Sequence, residues 1–251
     1  MPTFKLTLAY DGTSFVGWQR QAAGVSIQGL IEDAMAALEG KPVTVFGAGR
    51  TDAGVHALGQ VASLSLERHI DAATLLRAVN AHLPATVRVL DAVDVPTSFH
   101  ARFDATGKTY RYRIWNGGVL SPFERQYAWH VPSPALDGPA MRDAAVRLEG
   151  RQDFAAFQTS GAHTATTERV VSSSRVTAGP GPLVTYEITG DGFLRHMVRG
   201  IVGTLVEIGC GRRPPEWMSE VLKSKQRSAA GRTAPAAGLF LVRVEYQTRD
   251  L

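Results

Sequence analysis

Cys210 is the one cysteine in 251 residues. A lone cysteine makes no internal disulfide and no cysteine-based metal site, which suits a reducing cytoplasm. Long apolar runs are missing as well. The best stretch, 201–208, is interrupted by Gly203 and Glu207, so no membrane span is expected. The opening Met-Pro-Thr-Phe-Lys lacks the charged and apolar regions of a signal peptide, and a cytoplasmic protein is expected. The seven histidines (56, 69, 82, 100, 130, 163 and 196) show no metal-ligand spacing, and no metal is expected. No Gly-Lys-Ser phosphate loop occurs, and the glycines at 47, 49 and 54 lack the third glycine of a dinucleotide fingerprint. No serine–histidine–aspartate order is readable along the chain.

Lysine is also scarce. Of 27 basic residues, 22 are arginine, whose planar fork suits phosphate and stacks on bases. Genomic GC bias enriches arginine too, so a solvated charged face and a polyanion-binding surface both remain open. The net charge of +4 is unevenly placed. Residues 1–105 hold 8 basic and 10 acidic side chains, and residues 106–251 hold 19 and 13. Between Arg195 and Arg232 there are 8 basic residues against 3 acidic. At 44% hydrophobic residues, the chain can fill the core of one large domain or two small ones.

Apolar periodicity alternates between strand and helix. Residues 4–10 read as a strand. Ser26 caps a helix to about Leu38 whose apolar face is Ile27, Leu30, Ile31, Ala34, Met35 and Leu38, with Gly40 as its stop. Residues 43–46 and 60–66 read as strands, 72–83 as a helix and 87–95 as a strand, which gives the β-α-β-β-α-β order of a split βαβ unit. The second half repeats the theme: strands at 108–115, 170–177, 183–188 and 239–246, and helices at 139–148, 193–208 and 216–223. The class expected is α+β, in two related halves, 1–105 and 106–251. Residues 228–238 read as a loop.

Residues 47–60, Gly-Ala-Gly-Arg-Thr-Asp-Ala-Gly-Val-His-Ala-Leu-Gly-Gln, carry the strongest chemical signal. A loop of small residues presents one carboxylate, Asp52, beside Arg50 and Thr51, and its glycines let the backbone turn tightly and a flat ligand approach. A plain hairpin turn with Asp52 bonded to its own backbone is the competing account. Arg195 is expected in the first turn of the 193–208 helix, where the dipole disfavours a cation by roughly 0.3–1 kcal/mol. Arg199 follows one turn on, with like-charge repulsion of about 0.2–0.5 kcal/mol. Such a pair implies a nearby anion: a carboxylate, an RNA phosphate or bulk solvent. On the 108–115 strand, Lys108, Tyr110 and Tyr112 share one face and Arg111 and Arg113 the other. Tyrosine there either packs the sheet or stacks on a base. His56 near the acid and His196 beside Arg195 have core, surface or RNA-contact roles open to them. Phe15 and Trp18, in the turn at 11–19, are expected to brace a neighbouring loop.

These residues resemble the tRNA pseudouridine synthase A family. Residues 49–57, Gly-Arg-Thr-Asp-Ala-Gly-Val-His-Ala, resemble its catalytic motif. Residues 11–21 resemble its N-terminal turn, 98–102 with 108–112 its central strand, 193–209 its arginine-bearing helix and 233–239 its C-terminal signature. The resemblance implies two RRM-like halves sharing an antiparallel sheet with helices on one side, a homodimer, and isomerisation of uridine at positions 38, 39 and 40 of the tRNA anticodon stem-loop without a cofactor. It implies Asp52 as the nucleophile, toward C6 of the uracil or C1′ of the ribose. Tyr110 would stack on the flipped base and serve the proton transfer at C5. Arg195 would hold the carboxylate ionised, since a neighbouring guanidinium opposes the protonation that burial favours. Arg50, Thr51, His56 and Arg199 would contact the substrate, with Arg212, Arg213, Lys223 and Lys225 on phosphates. A non-catalytic RNA-binding protein and a carboxylate glycosidase are the alternatives. The first has no use for a lone acid facing phosphates, and the second needs a paired acid that the sequence does not show.

Overall fold

The computed structural model describes residues 1–159 and 165–247. The chain is α+β with mostly antiparallel strand pairing, and it divides into two compact units. Unit 1 comprises Met1–Thr106 and the returning segment from Phe240, and unit 2 comprises Gly107–Leu239.

In unit 1, β1 (Thr3–Tyr10), α1 (Ile27–Glu39), β2 (Phe46–Gly47), β3 (His56–Ser65), α2 (Ala72–His82) and β4 (Val87–Val95) follow in that order. Strand β1 lies between β4 and β3, antiparallel to both. Alternate residues Phe4, Leu6, Leu8 and Tyr10 are buried, as period two requires of a half-covered strand. Helix α1 starts where expected, with the Ser26 hydroxyl accepting from Gly29 N–H, and ends at Gly40, whose φ of 81° is the left-handed stop. Strand β2 is only two residues long. The backbone of Val45, expected in a strand, instead pairs with helix side chains: Gln28 Nε2 donates to its carbonyl at 3.1 Å and Glu32 Oε1 accepts from its N–H at 3.4 Å. The far edge of β3 is therefore shared. Phe46 and Gly47 take its Ser63–Ala62 end, and the last strand β10 (Leu239–Tyr246) pairs in parallel at His56 and Ala57. That parallel pairing is not visible in the periodicity.

In unit 2, β5 (Ala105–Trp115) and β6 (Trp129–His130) pair in parallel, and α3 (Gly138–Val146), β7 (Gly150–Asp153), β8 (Glu168–Ala178) and β9 (Leu183–Gly190) complete the sheet in the order β5-β9-β8-β7. Residues 98–102 form turns rather than strand, and β5 begins after them. Helices α4 (Met197–Gly209) and α5 (Trp217–Ser224) follow, with α3 packed on β8 and on α4. Residues 228–238 are mostly irregular, ending in a short 3-10 turn at Ala236–Gly238.

Helix α4 is crossed at close range by the Gly231–Arg232 backbone. A Cβ on Gly203 would fall 1.6 Å from the Arg232 carbonyl oxygen, and Gly231 N–H donates to Thr204 Oγ1 at 2.9 Å. Helix propensity alone favours alanine over glycine by about 1 kcal/mol. The contact reverses the sign. Gly203→Ala is expected to destabilise by about 3 kcal/mol, lowering the melting temperature by roughly 6–12 °C. A thermal melt in which the variant gains stability would contradict this packing.

Candidate active site

Asp52 sits half-buried between β2 and β3 of unit 1, on a loop held at several points. The Val55 N–H donates to the Asp52 carbonyl at 3.1 Å across a tight turn, and Gly54 supplies its left-handed residue at φ 76°. Outside this turn runs the segment at 11–18. The Trp18 N–H donates to the Thr51 carbonyl at 3.0 Å, and a Cβ on Gly17 would lie 2.5 Å from that same oxygen. Trp18 closes over Gly47, where a Cβ would meet the indole at 2.4 Å. The bracing expected of Trp18 is thus present.

Thr51 is buried. Its hydroxyl bonds Tyr10 Oη at 2.9 Å, Gln60 Nε2 reaches the same phenol at 3.4 Å, and that amide also donates to the Gly49 carbonyl at 2.9 Å. Burial pushes the Tyr10 phenol up to about 12, against the lowering effect of these bonds. The chain through Tyr10 and Gln60 fixes both sides of the arginine–threonine–aspartate loop. The Thr51 hydroxyl, expected on the substrate, is engaged inside the fold. Thr51→Val is expected to cost about 1–2 kcal/mol by leaving the Tyr10 phenol short of a partner, seen in chemical denaturation as a lower midpoint at unchanged slope. An unaltered midpoint would show that the bond contributes nothing.

His56 is 1% exposed. Its ring stacks on Phe240 at 4.7 Å and 21°, Nδ1 accepts from Gly12 N–H at 3.0 Å, and Asp11 Oδ1 lies 3.1 Å from the same nitrogen. It ties the segment at 11–12 to the start of β3, which fits the core role open to it in the sequence. Arg50 is exposed and, among the described residues, has no hydrogen-bond or ion-pair partner.

Unit 2 carries the other expected residues. Tyr110 lies on β5, opposite Ile188 of β9, 7% exposed, with Phe193 edge-on at 5.1 Å and 81°. Phe193 belongs to the connection between β9 and α4, not to the helix. Helix α4 starts at Met197, four residues later than its apolar pattern suggests, because His196 adopts φ 62° and interrupts the helical path. Thr159 Oγ1 holds the His196 ring at 2.7 Å. Arg195 therefore stands outside the helix, in a turn closed by Met197 N–H to Leu194 O, and is exposed. The dipole penalty and the one-turn repulsion expected for it do not apply.

Arg199, inside α4 and half-buried, is the oriented arginine. Its Nε–H donates to the Ala234 carbonyl at 2.7 Å, and Ala234 N–H returns a bond to the Arg199 carbonyl at 3.0 Å. The segment that presents Ala234 is itself clamped: Arg227 donates to the Gly231 carbonyl at 2.8 Å and to Thr233 Oγ1 at 2.7 Å. Tyr112 Oη donates to the Pro235 carbonyl at 2.7 Å, and burial raises its phenol far beyond the ordinary range despite Arg199 and Arg232 nearby.

The cations expected on phosphates are mixed. Lys225 pairs with Asp153 at 2.8 Å, Arg212 pairs with Glu207 at 3.0 Å, and Arg213 lies over Trp217 at 5.2 Å, while Lys223 is exposed. Exposed pairs of this kind are worth about 0–1 kcal/mol and yield readily to a phosphate. Among the described residues no group of three or more His, Cys, Asp or Glu could hold a metal, and no helix is long and apolar enough to cross a membrane. His163 lies outside the described residues.

The profile of the tRNA pseudouridine synthase family matches residues 7–104 and 144–247, which include Asp52, Arg195 and Arg199. The tRNA pseudouridine synthase A of Syntrophotalea carbinolica is 46% identical over 250 residues, covering 100% of this chain and 98% of that protein. Those of Myxococcus xanthus and Moorella thermoacetica are 46% and 47% identical, each over 98% of this chain. The chain belongs to the tRNA pseudouridine synthase family. A chain of a solved Cbf5-Nop10-Gar1 complex is similar at TM-score 0.38 and 12% identity over 95% of this chain and 48% of that one, a likeness too low to build on. Pseudouridine synthases are isomerases of uridine. The bracing residues Tyr10, Gln60 and Gly12, the ring of Phe193 and the Arg227 clamp were not singled out by sequence reasoning. Most of their partners lie too far along the chain for a local pattern to connect them, Arg227 excepted, whose partners Gly231 and Thr233 are four and six residues on.

Proposed function

We propose that the chain converts uridine to pseudouridine at positions 38, 39 and 40 of the tRNA anticodon stem-loop, with Asp52 as nucleophile. Near-full-length similarity to tRNA pseudouridine synthase A proteins supports the reaction and the substrate. The observation that carries the role of Asp52 is its carboxylate on a loop pinned by Thr51, Tyr10 and Gln60. A loop serving only as a hairpin would have no need of that buried network.

The target base leaves its stack at a cost of a few kcal/mol. The Asp52 carboxylate attacks C6 or C1′, the bond from N1 to C1′ breaks, a bond from C5 to C1′ forms, and the bond from the Asp52 oxygen to carbon breaks again to return the free carboxylate. The C5 proton departs and N1 gains one, so the sum is an isomerisation that consumes nothing. Tyr110 stacks on the uracil, its ring set by Phe193, and serves the C5 proton transfer. A guanidinium keeps the nucleophile ionised. Arg195 was the expected source, but the Ala234 carbonyl orients Arg199, and a preset fork loses less entropy on engaging a carboxylate. We assign the part to Arg199 and place Arg195 and Arg50 on RNA phosphates.

The halves 1–105 and 106–251 fit the RRM-like plan, to which the β1-α1-β2-β3-α2-β4 order of unit 1 lends support. A homodimer in the cytoplasm completes the proposal. Transcripts carrying a single uridine at 38, 39 or 40 test the site preference. After incubation, chemical labelling of pseudouridine should mark each of the three, and labelling at other positions alone would overturn it.

A further inference from the structure

Three aromatic rings stand together on the surface of unit 1. Phe46 and His100 have centroids 4.9 Å apart, and His100 and Phe103 are 4.3 Å apart, with interplanar angles of 41° and 36°. Phe103 is 74% exposed and Phe46 48%. The Arg102 guanidinium lies over the Phe103 ring, 5.8 Å from its centroid. Leaving a phenylalanine exposed forgoes the usual gain of its burial, and clustered exposed apolar groups mark interaction sites.

The platform is held in shape before anything binds. His100 N–H donates to Asp104 Oδ2 at 2.8 Å and Asp104 N–H returns a bond to the His100 carbonyl at 3.1 Å, which engages the nearby acid within the loop. Arg102 N–H donates to His100 Nδ1 at 3.1 Å, fixing the imidazole plane and leaving Nε2 as the donor of the neutral ring. Buried Ala101 anchors the loop from beneath: its N–H donates to Ser63 Oγ at 3.0 Å and its carbonyl accepts from Tyr246 Oη at 2.7 Å. A rigid tier of rings edged by a cation is the form that receives a nucleobase, because every base offers a flat π-face and is tethered to a phosphate.

Phe46 precedes Asp52 by six residues, so the two are separated by at most about 22 Å of chain. RNA delivering a uridine to Asp52 passes within reach of the platform. We propose that Phe103, His100 and Phe46, with Arg102, bind an unpaired nucleobase of the tRNA other than the one that reacts, a proposal that rests on tRNA being the substrate. Arg102 favours this occupant over a second copy of the chain, since a cation at the rim matches the phosphate that accompanies each base.

Phe103→Ala, Phe103→Leu and Phe103→Trp test it in the full-length protein against a tRNA transcript and a set of transcripts each lacking one loop base. Alanine and leucine are expected to weaken tRNA binding roughly tenfold, as loss of one stacked base does, with the rate at saturating tRNA unchanged. Tryptophan is expected to restore affinity. Wild type should lose a similar factor when one particular base is removed, and Phe103→Ala should be indifferent to that removal. Equal tRNA binding by all three variants would overturn the proposal. So would a change in sedimentation of Phe103→Ala with tRNA affinity intact, which would make the platform a contact between copies. If wild type forms no pseudouridine in any tRNA, it is the assignment of the reaction that fails, and binding without turnover separates that result from failure of the platform.

Discussion

Asp52→Asn is expected to slow pseudouridine formation by roughly 10⁴-fold or more, on the scale seen when a nucleophile is removed from a working site, while tRNA binding persists. The amide is nearly isosteric with the carboxylate. The loop that carries it is set by backbone bonds, Val55 N–H to the Asp52 carbonyl and Trp18 N–H to the Thr51 carbonyl, and by the Thr51–Tyr10 bond at 2.9 Å. These bonds do not run through the Asp52 side-chain oxygens, so they persist when the attacking carboxylate is replaced. Binding depends chiefly on cations meeting phosphates, and those are untouched. A variant that binds tRNA and turns over within tenfold of wild type would remove Asp52 from the mechanism. A variant that loses both binding and turnover would put the residue in the RNA interface instead.

Arg199→Leu is expected to reduce single-turnover rate by about 10²–10³-fold, the range for losing one preorganised charge or donor at a reacting centre. Arg195→Leu is expected to act mainly on tRNA affinity and on its salt dependence, because an exposed arginine that meets a phosphate contributes through counterion release. The contrast rests on two observations. Arg195 stands in an exposed turn before α4, while Arg199 has its Nε–H committed to Ala234 and its remaining nitrogens aimed by that bond. Arg199→Lys separates charge from geometry: a lysine restores the charge but lacks the fork, and is expected to recover only part of the rate. If Arg195→Leu proves the slower enzyme at saturating tRNA and Arg199→Leu turns over normally, the assignment is reversed.

Much of the scaffold was legible because its signals are local. Ser26 and Gly40 bracket α1 within 15 positions, and the alternation of Phe4, Leu6, Leu8 and Tyr10 marks β1. Strand β2 is shorter than the pattern at 43–46 suggests, because that pattern does not reveal that Gln28 and Glu32 side chains satisfy the Val45 backbone. The apolar face continues back through Leu194 and so suggests an earlier start for α4 than Met197, where the left-handed His196 breaks the helical path. Asp52 and Tyr110 stood out as types in a motif. The buried partners of Thr51 and His56 do not, since they lie more than 40 positions away, at Tyr10 and Gly12. The ring tier of Phe46, His100 and Phe103 is concealed in the same way, by a separation of over 50 residues that is bridged in the fold by the anchors of Ala101 to Ser63 and Tyr246.

The transfer of the ribose bond from N1 to C5 must expel the hydrogen on C5 of the target uridine. Tritium placed at that carbon in a tRNA transcript therefore reports the reaction directly. Wild-type protein, without added cofactor, is expected to release tritium to water in proportion to the uridines at 38, 39 and 40, and Asp52→Asn to release none above background. Retention of the label by wild type, or equal release by both proteins, would contradict the account.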